Sequence, residues 1–389
     1  MLTRRLAKDI GVNQRDPVDA DTLAATATIV DAVRREGQAA LLRYAERFGD
    51  LGPGEWIVSR SALEAARDAL PAADRALLER TAARIRVFAE AQRAAIGDVD
   101  LQIPGGSAGL TYRAVARAGC YAPGGRYPLP SSVLMTAITA KVAGVSEVWV
   151  ASPRPTQATL AAAAIAGADA VLAIGGAQAI AAFAYGAGRV PAVDAVVGPG
   201  NRWVTAAKQL VSGRVRIDML AGPSELVVLA DDSADPRLVA ADLIAQAEHD
   251  PDALPVLIAL SEDMLARVDV ELARQVLPAA REALANGYAV LVADLDEAIA
   301  VADRIAPEHL SLQLADPESI VADLQNYGAL FIGDGAAEVL GDYGAGPNHV
   351  LPTAGTARST GALSVMTFLR AQTWLRMRDP SELARDAAA

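Results

Sequence analysis

The chain has three histidines among its 389 residues, and each stands in a polar cluster: Gln246-Ala247-Glu248-His249, Pro307-Glu308-His309 and Asn348-His349. Two of the three directly follow a glutamate. Imidazole beside carboxylate is the usual equipment for moving protons at neutral pH, so the chain reads as an enzyme. Gln246 and His249 are three residues apart; on a helix they share a face and could offer an amide oxygen and an imidazole nitrogen to one ion. The same spacing is also common in a simple packing pair. Asp342, in Gly341-Asp-Tyr-Gly-Ala-Gly346, could complete an oxygen and nitrogen set suited to zinc, or be an ordinary turn aspartate. Glu308-His309 follows Pro307 and precedes Leu-Ser-Leu-Gln-Leu, a predicted strand, so loop geometry at an element boundary can aim both side chains.

Those residues need a scaffold, and short β-rich runs alternating with longer helical patterns supply one. Glu147–Ala151, Ala170–Ile174, Asp194–Val197, Leu226–Leu229, Pro255–Ala259, Ala289–Val292 and Leu330–Ile332 read as strands separated by helix-forming sequence. This alternation is the signature of parallel sheets with helices on both faces, and the fold class is α/β. Before Val115 the pattern changes: Thr22 to Arg43 and Ser61 to Ile96 carry Ala, Arg, Glu and Leu at helical spacing, predicting a helical preface. Three glycine turns, Tyr121-Ala-Pro-Gly-Gly125, Gly175-Gly176-Ala-Gln178 and Gly198-Pro-Gly-Asn201, each follow an apolar run and precede a helical one. Such strand-to-helix switches let backbone approach a ligand, although glycine and proline also form plain turns. No Gly-x-Gly-x-x-Gly occurs, so a dinucleotide, if bound, does not use that fingerprint.

Composition narrows the partners. At 52% hydrophobic the chain is long enough for two or three packed units. A formal charge of −12 without a Lys/Arg run argues against nucleic acid and anionic membrane and favours a small-molecule partner. The least charged stretch, Ala158 to Gly188, is interrupted by Asp169, Gln178 and Gly175-Gly176 before a span of about 20 residues accumulates, and reads as buried α/β core. With Cys120 the single cysteine, no intrachain disulfide is possible, and Met1-Leu-Thr-Arg-Arg5 leads into polar sequence; the cytoplasm is the expected compartment.

Taken in order, Tyr121-Ala-Pro-Gly-Gly-Arg-Tyr-Pro-Leu-Pro-Ser-Ser, Gly175-Gly-Ala-Gln-Ala-Ile, Gly198-Pro-Gly-Asn, Ile217-Asp-Met-Leu-Ala-Gly-Pro-Ser-Glu225, Gln246-Ala-Glu-His, Ala306-Pro-Glu-His-Leu and Gly341-Asp-Tyr through Asn348-His-Val-Leu-Pro-Thr resemble the successive signatures of the histidinol dehydrogenase family. The resemblance runs from about Val33 to about Met377. It implies an NAD-dependent, four-electron oxidation of an amino alcohol to a carboxylate through an aldehyde. By similarity, Tyr121, Gln178 and Asn201 would contact NAD; Ser224, Gln246, His249, His309 and Asp342 would line the substrate site; Gln246, His249 and Asp342 would hold zinc. Glu308 and His309 would be the acid/base pair, His309 taking the hydroxyl proton and Glu308 activating the water that hydrates the aldehyde, with His349 in support. Cys120, just before the cofactor-contacting tyrosine, would be a buried thiol rather than a nucleophile.

The resemblance further implies two related, incomplete Rossmann-like domains, an architecture like that of aldehyde dehydrogenases, and an intertwined homodimer. The expected division is an N-terminal segment (1–20), a first discontinuous α/β domain (21–105 with 225–365) carrying Glu308 and His309, a second, NAD-binding domain (106–224), and a truncated C-terminal segment (366–389). Past Phe368-Leu-Arg-Ala-Gln-Thr-Trp-Leu-Arg-Met377 only about a dozen residues remain, and no histidine follows His349. Family members carry a tail there that supplies a substrate glutamate and a fourth zinc ligand. The expectation is therefore a dehydrogenase acting on an alcohol other than histidinol. The alternatives are a histidinol dehydrogenase with a shortened C-terminus and, from another class, a catalytically silent nucleotide-binding partner.

Overall fold

A computed structural model describes residues 2–12, 16–52, 54–124, 129–275 and 277–389. In chain order its strands are β1 (Thr3–Leu6), β2 (Ile57–Ser59), β3 (Val99–Ile103), β4 (Gly106–Ala114) and β5 (Arg117–Tyr121). There follow β6 (Glu147–Ala151), β7 (Ala170–Leu172), β8 (Ala195–Val197), β9 (Arg216–Ile217) and β10 (Glu225–Ala230). The last are β11 (Leu254–Ala259), β12 (Tyr288–Leu291), β13 (His309–Gln313), β14 (Ala329–Ile332) and β15 (Leu369–Met377). All seven predicted strands are present within a residue or two, and apart from β2 at one edge both large sheets are built from parallel pairs, as the α/β reading expects.

The chain divides into two compact units. The first comprises 1–35, 199–212 and 219–363; the second comprises 36–198, 213–218 and 364–389. Residues 36–105, expected with the Glu308 sheet, group instead with the sheet that carries Tyr121.

In the first unit six strands pair in the order β1-β12-β11-β10-β13-β14, all parallel. β10 and β11 are buried along their whole length, which is why they read as unbroken apolar runs rather than alternating ones. Register fixes which residues share a face: Leu226, Val228 and Ala230 of β10 lie opposite His309, Ser311 and Gln313 of β13. The three β10 residues pack with Val239, Leu243 and Ala247 of the helix Pro236–His249. The other face holds Val227, Leu229, Leu310 and Leu312. That helix starts where the sequence dictates: Asp235 Oδ1 accepts from Arg237 N at 2.9 Å and Pro236 occupies the first turn, where its missing N–H is no loss. Leu243 is fully buried, and Leu243→Ala would cost about 2–5 kcal/mol as lost transfer energy plus cavity.

In the second unit the order is β2-β7-β6-β5-β8-β9, with β2 antiparallel at one edge and the remaining pairs parallel. The predicted helical preface is there as the helices Ala20–Glu36, Gln38–Arg47, Arg60–Asp68 and Ala72–Ala94, the first of which falls in the first unit. Strands β1, β2, β3 and β4 also lie in that region and were not expected. β3 and β4 form a hairpin that β15 extends into a three-stranded antiparallel sheet, so the C-terminal segment is a strand followed by the helix Ser381–Ala388. Cys120 is buried, and burial pushes its thiol up to about 12, in keeping with an inert role. Among the described residues no helix is long and apolar enough to cross a membrane.

Candidate active site

The first unit gathers the polar residues at the N-terminal edge of its sheet. Ser224 immediately precedes β10, and Glu308 immediately precedes β13, whose first residue is His309. The helix Leu295–Ile305 ends on Ala306 in the left-handed conformation (φ 50°), unusual for a residue with a side chain, and Pro307, with no N–H to give, follows it and stands just before Glu308. Glu308 Oε2 accepts from Ser224 Oγ at 2.5 Å and from the Glu225 amide at 3.0 Å. Burial nevertheless pushes the Glu308 carboxyl up to about 7, against these two donors. A carboxyl poised there can give or take a proton at neutral pH.

His309 is buried, and burial holds its imidazole below the usual histidine range, so the neutral ring prevails. Its Nδ1 lies 3.1 Å from the Glu225 carbonyl oxygen. A carbonyl can only accept, so Nδ1 carries the hydrogen and Nε2 keeps the lone pair. Nε2 sits 3.5 Å from Glu338 Oε1, and Glu308 Oε2 is 3.7 Å from Nδ1. Phe331 covers one side of the ring, at 5.9 Å between centroids. Glu338 is 1% exposed, and burial raises its carboxyl to about 7. The sequence reading missed it, yet it stands four residues before Asp342, a spacing that on one helical turn brings two carboxylates to the same side.

Asp342 links two histidines: Oδ2 lies 3.8 Å from His249 Nε2 and Oδ1 lies 3.4 Å from His349 Nδ1. Burial would raise its carboxyl, but the His349 hydrogen bond and the neighbouring histidines outweigh that and hold it below the usual range. One turn before His249 on the same helix, Gln246 is fully buried, and neither atom of its amide has a hydrogen-bond partner among the described residues. A buried, unpartnered amide is costly and calls for an explanation.

In the second unit the polar groups lie at the opposite, C-terminal edge of the sheet. Tyr121 ends β5, and its hydroxyl accepts from the Gly176 amide at 3.1 Å. Burial pushes the phenol up to about 12, so it stays neutral and keeps its own hydrogen to donate. Gln178, buried in the first turn of the helix Gly176–Tyr185, donates from Nε2 to Asp50 Oδ2 at 3.2 Å, and the Gly175 amide donates to the same oxygen at 3.0 Å. That leaves Gln178 Oε1 without a partner among the described residues. Asp50 escaped the sequence reading because Asp-Leu-Gly-Pro-Gly looks like a plain break. Gly198 has φ +114°, and a Cβ there would come within 2.1 Å of the Tyr121 carbonyl oxygen, so only glycine fits. Gly125, from the first glycine turn, lies outside the described residues. Asn201 belongs to the first unit, where its Oδ1 caps the helix Arg202–Val211 by accepting from Trp203 N and Val204 N. A recess of about 370 Å³ beside it is lined by Gly200, Gly222, Pro223 and Asp250.

The fold and the first site define an α/β enzyme equipped for proton transfer by a buried glutamate–histidine pair. The chain belongs to the histidinol dehydrogenase family, whose profile matches residues 13–388. It is 51% identical over 348 residues to the histidinol dehydrogenase of Thermus thermophilus, covering 88% of this chain and 84% of that one. To the enzyme of Pseudomonas fluorescens it is 42% identical over 403 residues, covering 100% of this chain and 89% of that one. The solved histidinol dehydrogenase of Elizabethkingia anophelis superposes with a TM-score of 0.89 at 30% identity, covering 97% of this chain and 90% of that one. Histidinol dehydrogenases are oxidoreductases that use NAD and zinc.

The residues present fit a zinc ion. Two ligands at about 2.0–2.2 Å from a tetrahedral ion stand about 3.4 Å apart, close to the 3.8 Å between His249 Nε2 and Asp342 Oδ2. Among the described residues no group of three or more His, Cys, Asp or Glu is set for a metal; the third donor here is an amide, the unpartnered Gln246.

Proposed function

We propose that this chain oxidises L-histidinol through the aldehyde to L-histidine with NAD, and that Glu308 and His309 perform the proton transfers. The observation that carries the assignment of roles is the tautomer: His309 Nδ1 is held by the Glu225 carbonyl, which leaves a neutral Nε2 free to take the substrate's hydroxyl proton as hydride departs. Glu308, poised near neutrality, then deprotonates the water that adds to the aldehyde, and Ser224 keeps its carboxylate oriented. His349 holds Asp342 from the far side. Gln246, His249 and Asp342 would hold zinc, which supplies Lewis-acid activation of the bound substrate. Tyr121, Gln178 and Asn201 would hold NAD, which accepts the hydrides.

Histidinol as substrate is favoured over the other alcohol expected from the sequence, because the histidinol dehydrogenase relatives match at up to 51% identity along most of the chain. A homodimer would follow the family. The test is NADH formation from L-histidinol by the zinc-loaded protein, beside other amino alcohols. Two NADH per histidinol is the expected stoichiometry; turnover of another alcohol with none of histidinol would overturn the assignment.

A further inference from the structure

The helix Pro236–His249 and strand β13 face each other along two rows of polar side chains. His309, Ser311 and Gln313 point toward that helix, because they share the face on which β10 packs against it. On the helix, Asp242, Gln246 and His249 recur at i, i+4 and i+7, one ridge of its surface. The helix connects parallel neighbours and so runs antiparallel to β13, which sets Asp242 beside Gln313 and His249 at the His309 end. Gln313 Nε2 donates to Asp242 Oδ2 at 3.0 Å. The rows match in length, about 13 Å along the strand and about 10 Å along the helix.

Between the ends, Ser311 Oγ, Gln313 Oε1 and the Gln246 amide are buried without a hydrogen-bond partner among the described residues; with the amide oxygen given to zinc, Gln246 Nε2 is still left to donate into the row. Packing does not need them: the same helix and sheet bury Val239, Leu243, Ala247 and Val228 around them. Successive buried polar atoms of this kind are what internal water bridges, and each bridge joins the next group. Asp242 is half-buried, so its carboxyl borders solvent at the C-terminal edge of the sheet.

We propose that this row is a proton relay, in which water ordered by Ser311, Gln246 and Gln313 carries the proton taken by His309 to Asp242 and from there to solvent. The proposal rests on the oxidation described above as the source of protons. Taking a primary alcohol to a carboxylate consumes one water, gives up two hydrides to two NAD and releases three protons. His309 must therefore be emptied between steps. With substrate and zinc in place at the His249 end, the inner row offers a second way out. Burial raises the Asp242 carboxyl to about 6, near enough to neutrality to load and unload in solvent.

The test compares the zinc-loaded protein with its Asp242→Asn variant, which keeps the shape of the carboxyl and ends its titration. In dilute buffer, kcat for L-histidinol should fall about tenfold, less than the roughly 10²-fold loss of removing the base itself. Both KM values should hold. Activity should return as acetate or formate is raised at constant ionic strength, and the solvent deuterium isotope effect on kcat should increase. Ser311→Ala should show the same signature more weakly. An unchanged kcat and isotope effect, or a loss that small carboxylates do not restore, overturns the relay. A crystal structure of the zinc-loaded protein separates this from the substrate reading. Ordered water between Ser311 and Gln246 is expected whatever the substrate, and a dry row overturns the relay even if histidinol is turned over. A hydrated row without NADH from histidinol overturns the substrate alone.

Discussion

The two six-stranded sheets put their functional groups at opposite edges and make them from different material. In the first unit Ser224, Glu308 and His309 sit at the N-terminal edge, and burial has moved the proton affinities of the glutamate and the histidine, to which we assign the proton transfers. In the second, Tyr121, Gly176, Gln178 and Gly198 sit at the C-terminal edge, where ligands of open α/β sheets commonly bind, and much of what they offer is backbone and neutral hydrogen bonds. Proton chemistry needs titratable groups in a dry setting; holding a large neutral-to-anionic ligand needs close approach without them. One architecture serves both because the requirement falls on strand ends, not on the sheet.

Substitutions can break this comparison or refine it. His309→Ala should cost at least about 10²-fold in kcat while NAD titrates as in the parent; a parallel loss of NAD affinity would show that the two edges are not separate in function. Glu308→Gln should let aldehyde accumulate, since hydration suffers more than the first hydride step. Its stability should also depend on pH in a defined direction. Because the folded Glu308 is raised to about 7 from an ordinary 4.5, its stabilising contribution is present below about 4.5 and lost as pH rises through 7. The variant should thus gain on the parent by of order 3 kcal/mol between those limits, read from thermal melts across pH. Gly198→Ala should destabilise by about 2–3 kcal/mol, from its positive φ and the overlap with the Tyr121 carbonyl, and should raise KM for NAD without moving the pH profile. Asp50→Asn is the mildest: the amide oxygen can still accept from Gly175 and Gln178, but without the charge that strengthens both bonds. Losing about 1 kcal/mol of hydrogen bonding should raise KM for NAD roughly fivefold and leave kcat alone.

Much of the first sheet and of the first site is legible in the residues themselves. In the second sheet β6 matches its predicted limits; in the first, β10 gains a residue at each end, β11 gains one and β12 is shifted by one, because continuous apolar runs between turns leave little choice. β1 was not legible: Thr-Arg-Arg-Leu is exposed at a sheet edge and has no apolar alternation to announce it. β15 was missed as a strand because its pairing partner β4 lies more than 250 residues earlier, and local pattern carries no information about such distance. The site shows the same division. Glu308-His309 announces itself as a dipeptide, whereas Glu338 and Asp242 matter through burial and neighbours that only the folded chain provides.

β1 also bears on how the protein is made. Residues 3–6 are translated about 280 residues before β12, residues 288–291, their strand partner among the described residues, with Arg4 also bonded to Asp269 at 2.8 Å and Arg5 over the Tyr288 ring. At roughly 5–20 residues per second this segment waits about 15 s to a minute for its partner. During that interval the second unit, most of which is synthesised between the two halves of the first, has time to collapse on its own. The sheet that holds Glu308 and His309 is therefore closed late, by residues translated long before their partner strand.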